Sequence, residues 1–142
     1  MIVIHDPACA EFGSPERPEQ PARVTKTAEL LRATHPEWEW QLPGAAEEST
    51  ILLAHDAALL ARLRKPEEFD ADTPYFDRIA EHAVRSVGGA LTALDHALAG
   101  RRAFSLLRPP GHHATRNRAM GFCYLNQVAI AALEARRRGV AR

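Results

Sequence analysis

Apolar positions along the chain change their period several times, and each change marks an element. Residues 2–4, Ile-Val-Ile, form an apolar run that stops at His5-Asp6-Pro7. This is the pattern of a buried strand ending in a turn, because proline fixes its own φ and restricts the residue before it. A proline-rich loop occupies residues 11–21. From Ala22 onward Val24, Ala28 and Leu31 share one helical face, with Lys26, Glu29 and Arg32 off it, until His35-Pro36 halts the pattern. Trp38 and Trp40 then alternate with Glu37, Glu39 and Gln41. That period of two predicts a short half-buried strand before a Pro43-Gly44 turn, with both indoles covering a core edge.

Residues 49–65 are apolar and helix-forming but are split at His55-Asp56, which predicts two short helices, the second capped by Asp56 and buried through Leu59, Leu60 and Leu63. Residues 65–74 read as a polar loop in which Asp72-Thr73-Pro74 turns the chain and caps the next helix. That helix is the longest, with Val84, Val87, Leu91, Leu94 and Leu98 at spacings of three and four and Gly100 at its C-terminal cap. Gly88-Gly89 inside it costs roughly 1 kcal/mol of helix propensity per glycine, which predicts a close neighbour.

Residues 103–107 are a continuous apolar run between Arg101-Arg102 and Arg108-Pro109-Pro110, predicting a strand buried on both faces, as parallel strands are. Residues 125–138 return to helix, with Val128, Ala132 and Leu133 inward and Arg136, Arg137 and Arg138 at the end where the macrodipole favours cations. Gly139 closes that helix, and Val140-Ala141 reads as the start of a further strand. The expected architecture is α/β: a mainly parallel sheet flanked by helices, with residues 1–142 supplying the N-terminal part of a single domain.

Composition narrows the function without naming it. Eighteen basic residues balance eighteen acidic ones, so no global field draws the chain to nucleic acid or to a membrane surface. No stretch has the length and apolarity of a membrane span, and the first residues lack a basic leader pattern. Cys9 and Cys123 are too far apart in sequence to read as a disulfide framework or a zinc knuckle, so a reducing, cytoplasmic setting is expected.

In open α/β sheets ligands collect at the carboxyl ends of parallel strands, and the segment there is Arg108-Pro-Pro-Gly-His-His-Ala114, continued by Gly121-Phe-Cys-Tyr-Leu-Asn126. Two prolines stiffen the exit, Gly111 permits a tight turn, and two imidazoles come next. Imidazole titrates near neutrality, so His112 and His113 can divide labour, one accepting a proton while the other stabilises charge. Consecutive residues rarely bring both rings to one ion, and helical zinc spacings are absent, so the expected metal ligands within this chain are none. A His-His pair alone is more often structural, but the flanking glycine, the prolines and the nearby aromatic motif reverse that weighting. Cys123 reads as a small buried group and Tyr124 as a core aromatic.

RPPGHHA, then GFCYLN and VAIAA, resemble the histone deacetylase family, especially its class II and bacterial acetylpolyamine and acetoin-utilisation members. The proline-rich PERPEQPARV stretch, Asp72-Thr73-Pro74 and Gly88-Gly89 agree more loosely. The resemblance implies an arginase/deacetylase fold and zinc-dependent hydrolysis of the acetamide on an acetylated lysine, polyamine or similar amine. It implies His113 as general base with His112 its electrostatic partner, Gly121 lining the pocket, Phe122 as a channel wall and Cys123 behind the acetyl group. It also implies Asp72 as a rim residue for substrate backbone or a cationic amine, and Arg23 as lining for an internal cavity.

Ser14 stands where the family often has histidine before Pro15. The family's zinc pair, Asp-x-His, lies in the strand after the Gly139 position, with a further aspartate and an oxyanion-stabilising tyrosine beyond; zinc ligands are therefore expected downstream of Arg142. The alternative is an inactive fragment or paralogue that binds a partner or forms homo-oligomers through an uncovered sheet edge.

Overall fold

The computed structural model describes residues 1–141. Strand β1 (Ile2–Ile4) is buried along its whole length and is the middle of a three-stranded sheet ordered β2-β1-β3. Both neighbours, β2 (Glu39–Gln41) and β3 (Ala103–Ser105), run parallel to it, with Val3 opposite Trp40 on one side and Phe104 on the other. A 3-10 turn over Pro7–Ala10, capped by the Asp6 side chain, comes directly after β1; no periodicity in the sequence signals an element that short.

Helix α1 (Ala22–Thr34) buries Val24 and Ala28 against Val3, Cys9 and Leu106 on one face of the sheet. A second, larger core is built from α2 (Glu48–Ile51), α3 (Ala57–Leu63), α4 (Ile79–Leu98) and α5 (Gln127–Arg137). The Gly88-Gly89 pair has the expected close neighbours: a Cβ on Gly88 would overlap the Gly44 carbonyl oxygen, and one on Gly89 would overlap the Leu107 side chain. Gly100, at φ 74, ends α4 as expected.

Five expectations are corrected. β3 is an edge strand, and Phe104 is 45% exposed, because an apolar run signals burial without saying which neighbours supply it. In α5 the core residue is Ile130, Glu134 is covered by its own Arg137 and Arg138, and Val128 and Leu133 are exposed. Asp56 occupies the N-cap position of α3 but makes no cap hydrogen bond; its carboxylate pairs instead with Arg116 at 2.9 Å. The turn at Asp72-Thr73-Pro74 forms but does not cap α4, which starts after Arg78. Val140 forms no strand; its amide closes α5 on the Ala135 carbonyl at 3.0 Å. Arg142 lies outside the described residues. No helix among the described residues is long and apolar enough to cross a membrane.

Candidate functional site

Beyond β3 the chain leaves the carboxyl end of the sheet along a stitched path. The Leu106 amide donates to the Ile4 carbonyl at 2.9 Å, and the Leu106 carbonyl lies 2.8 Å from His5 Nδ1. The Ser86 hydroxyl on α4 then donates to the Pro109 carbonyl at 2.9 Å. Gly111 is pressed so tightly on the start of α5 that a Cβ there would collide with Gln127 Oε1 and the Leu125 carbonyl oxygen. Only glycine permits that approach.

His112 and His113 come next, both exposed, with ring centroids 4.2 Å apart and planes tilted by 49°. Among the described residues no hydrogen bond engages either ring, and both face solvent. The turn that carries the aromatic motif packs on His113. Met120 and Cys123 exchange two backbone hydrogen bonds of 3.0 Å around Gly121 at φ 59 and Phe122 at φ 65, the positive values that a two-residue hairpin turn requires. A Cβ at Gly121 would lie 3.0 to 3.2 Å from ring and Cβ atoms of His113, so glycine is demanded twice. Phe122 has no such freedom, and the left-handed region costs an ordinary residue about 1–2 kcal/mol.

Thr73 offsets that strain. Its hydroxyl oxygen, fully buried, accepts the Phe122 amide at 3.0 Å. Asp72 is exposed on the same turn, its amide donating to Asp70 Oδ1 at 3.1 Å. Tyr124 reinforces the join by donating its hydroxyl to the Pro74 carbonyl at 2.5 Å, and burial pushes its phenol up. Cys123 is buried, with the backbone amides of His113 and Ala114 facing its sulfur; burial outweighs them and pushes the thiol up. A protonated, enclosed thiol is a shape-forming group and not a nucleophile.

His112, His113, Gly121, Phe122 and Cys123 thus form one cluster, and Asp72 is joined to it through Thr73. Arg23 is not brought there. Its side chain is exposed on the first turn of α1 and lines neither cavity found among the described residues. The buried arginine is Arg108, which donates to both Glu19 oxygens at 2.6 Å and to the carbonyls of Cys9 and Phe12 at 3.0 and 3.1 Å. It also lies 4.2 Å over the Phe12 ring. Sequence reasoning misses this pair because its partners are separated by most of the chain.

His55 is a second residue that sequence reasoning undervalues. It is 1% exposed, accepts the Asn126 amide at Nε2 (2.8 Å), and so carries its neutral-state proton on Nδ1. That nitrogen has no hydrogen-bond partner among the described residues, and burial holds the imidazole pKa down against the opposing pull of the Arg116 and Thr115 backbone. Its role is to fix the start of α5 behind the histidine turn.

Two cavities, of about 720 and 120 Å³, open along α4; His112, His113, Gly121 and Phe122 line neither. Among the described residues no three His, Cys, Asp or Glu side chains converge as metal ligands. A zinc ion does not fit the donors that this chain brings together, since two consecutive imidazoles offer it no closed or three-ligand site.

The histone deacetylase domain family matches residues 17–142. The chain is 34% identical over its whole length to a probable deacetylase of Methanothermobacter thermautotrophicus, covering 45% of that protein. It is 35% identical over 98% of its length to a histone deacetylase-like amidohydrolase of Pseudomonas aeruginosa, covering 38% of it. The crystal structure of the HDA15 HD domain superposes on 97% of the chain with a TM-score of 0.88 at 26% identity, 43% of that domain's chain being covered. The chain spans less than half the length of each.

Proposed function

The chain belongs to the histone deacetylase family, and from that premise we propose that it carries the proton-transferring side of a deacetylase site acting on an acetylated lysine, polyamine or similar amine. The observation that carries this reading is the pair of solvent-open imidazoles on a glycine-braced turn, with the Gly121-Phe122 turn packed against one of them. His113 accepts a proton from water as the water oxygen bonds to the acetyl carbonyl carbon. When the C–N bond breaks, that proton passes to the departing amine and leaves acetic acid, which gives its own proton to the amine so that acetate and an ammonium ion depart. His112, with its ring centroid 4.2 Å away, is the electrostatic partner of the resulting imidazolium. Phe122 flanks the alkyl chain, Gly121 presents backbone to it, Cys123 closes the space behind the acetyl group, and Asp72 meets a cationic amine or a substrate amide at the rim.

Zinc belongs to this proposal only as an ion held by ligands outside these 142 residues. The decisive test joins the chain at Arg142 to the remaining C-terminal part of the Methanothermobacter relative and measures acetate release from an acetyl-lysine peptide and an acetylated polyamine. The chimera should turn over and His113→Ala should lower its rate by about 10²–10⁴-fold, while the 142-residue chain alone should be silent. A chimera that folds and releases no acetate sinks the reading.

A second reading rests on a different observation. Phe104 on the edge strand and Val128 and Leu133 on α5 are 45%, 64% and 40% exposed, apolar side chains of the kind a binding or self-associating module presents. Sedimentation of the chain should then show homo-oligomers at micromolar concentration; a compact monomer throughout counts against it. The two buried, unpaired thiols suit the same protein to a cytoplasmic setting.

A further inference from the structure

Thr73 has a backbone that is already fully used. Its amide donates to the Asp70 carbonyl at 3.1 Å and its carbonyl accepts the Phe69 amide at 3.2 Å. The hydroxyl is the one polar group left, it is 0% exposed, and its oxygen points at the amide of the residue with the least reason to adopt the backbone it has. Phe122 is an aromatic residue at φ 65, in a position of a hairpin turn where glycine or asparagine is the usual solution. A β-branched side chain with a stiff χ1 makes Thr73 a fixed acceptor and not a roaming one.

We infer that Thr73 is a positioning residue: its buried hydroxyl, by accepting the Phe122 amide, holds Phe122 in the left-handed conformation and locks the rim turn bearing Asp72 to the aromatic wall. The side chain that meets a substrate at the rim and the one that flanks its alkyl chain therefore move as one unit. The substrate between them rests on the deacetylase reading; the coupling itself does not.

The test uses amide hydrogen exchange and the Phe122 amide-to-α-proton coupling constant in the nitrogen-15-labelled chain. In the wild type the Phe122 amide should exchange at least tenfold more slowly than in the unfolded chain. Thr73→Val, which keeps the shape and removes the acceptor, should speed that exchange at least tenfold and move the coupling constant, while amides of β1 stay unchanged. Thr73→Ser should stay close to wild type. The inference is overturned by an unprotected wild-type amide, by Thr73→Val leaving both readouts unchanged, or by the valine and serine variants changing them alike. Should the valine variant fail to fold, the wild-type exchange rate decides alone. In the active chimera Thr73→Val should raise KM at least tenfold with kcat within about threefold, and serine should restore it; equal losses in kcat for both variants would mark a merely structural role. A wild-type chimera without activity defeats the deacetylase reading and leaves the exchange experiment to judge Thr73.

Discussion

Arg108 and Glu19 meet at 2.6 Å through two guanidinium nitrogens, with side chains only 2% and 9% exposed. Glu134 meets Arg137 and Arg138 at 2.6 to 2.8 Å, equally short, but those arginines are 64% and 37% exposed. Glu134 is hidden by its own partners at the helix end and not by the core, whereas Arg108 is enclosed by the loop it ties down. Contact distance is nearly the same in the two clusters, so it cannot rank them. The ranking comes from the partners: the arginines over Glu134 are themselves solvated and screened, whereas Arg108 is enclosed together with Glu19.

The contrast is most vulnerable at Arg108. Arg108→Met should cost about 3–5 kcal/mol in urea unfolding, because it strands a buried carboxylate; a loss below about 1 kcal/mol would break the contrast. Glu19→Gln should cost a similar amount, about 3–5 kcal/mol, because it leaves a buried guanidinium charge unpaired and sets an amide NH2 against one of its donors. Replacing both with apolar residues should restore part of the loss, which would show that the burden lies in the unpaired charge.

Glu134→Gln should cost no more than about 1 kcal/mol near neutrality, as solvent-screened pairs do. Hydrogen bonds from Arg137 and then Arg138 hold the Glu134 carboxyl down to about 2 from an ordinary 4.5. The fold therefore favours its ionised form. Its contribution is complete above about pH 4.5 and is lost as pH falls toward 2, so the wild-type advantage over the glutamine variant should vanish across that window. Arg137→Ala should have the smallest effect of all, with the urea midpoint moving less than for Glu134→Gln and not at all in high salt.

The same two clusters mark where sequence reading succeeds and fails. The 3.6-residue period locates α1 and α4, and Gly100 the end of α4, because those features are fixed by local spacing. It locates α5 but turns it the wrong way, since a glutamate buried by its own arginines is invisible to a hydrophobic count. The grouping of the histidine turn with the Gly121-Phe122 turn is legible, because each is a short local motif. The groups that hold them in place, Arg108 with Glu19 and Thr73 with Phe122, are not, because each pairing joins distant segments and neither residue type announces burial. Arg23 shows the converse: a role implied by motif position falls on a residue that these 142 residues leave in solvent.

The placement of β1 at the centre of the sheet has a consequence for how the molecule is made. β1 leaves the ribosome before either of its partners, and one of them, β3, is encoded roughly a hundred residues later. At about 5–20 residues per second of synthesis, an apolar tripeptide waits roughly 5–20 seconds with an unsatisfied backbone edge. The nascent chain must shelter that edge or delay collapse until β3 arrives, so completing the sheet means joining an early segment to one translated much later.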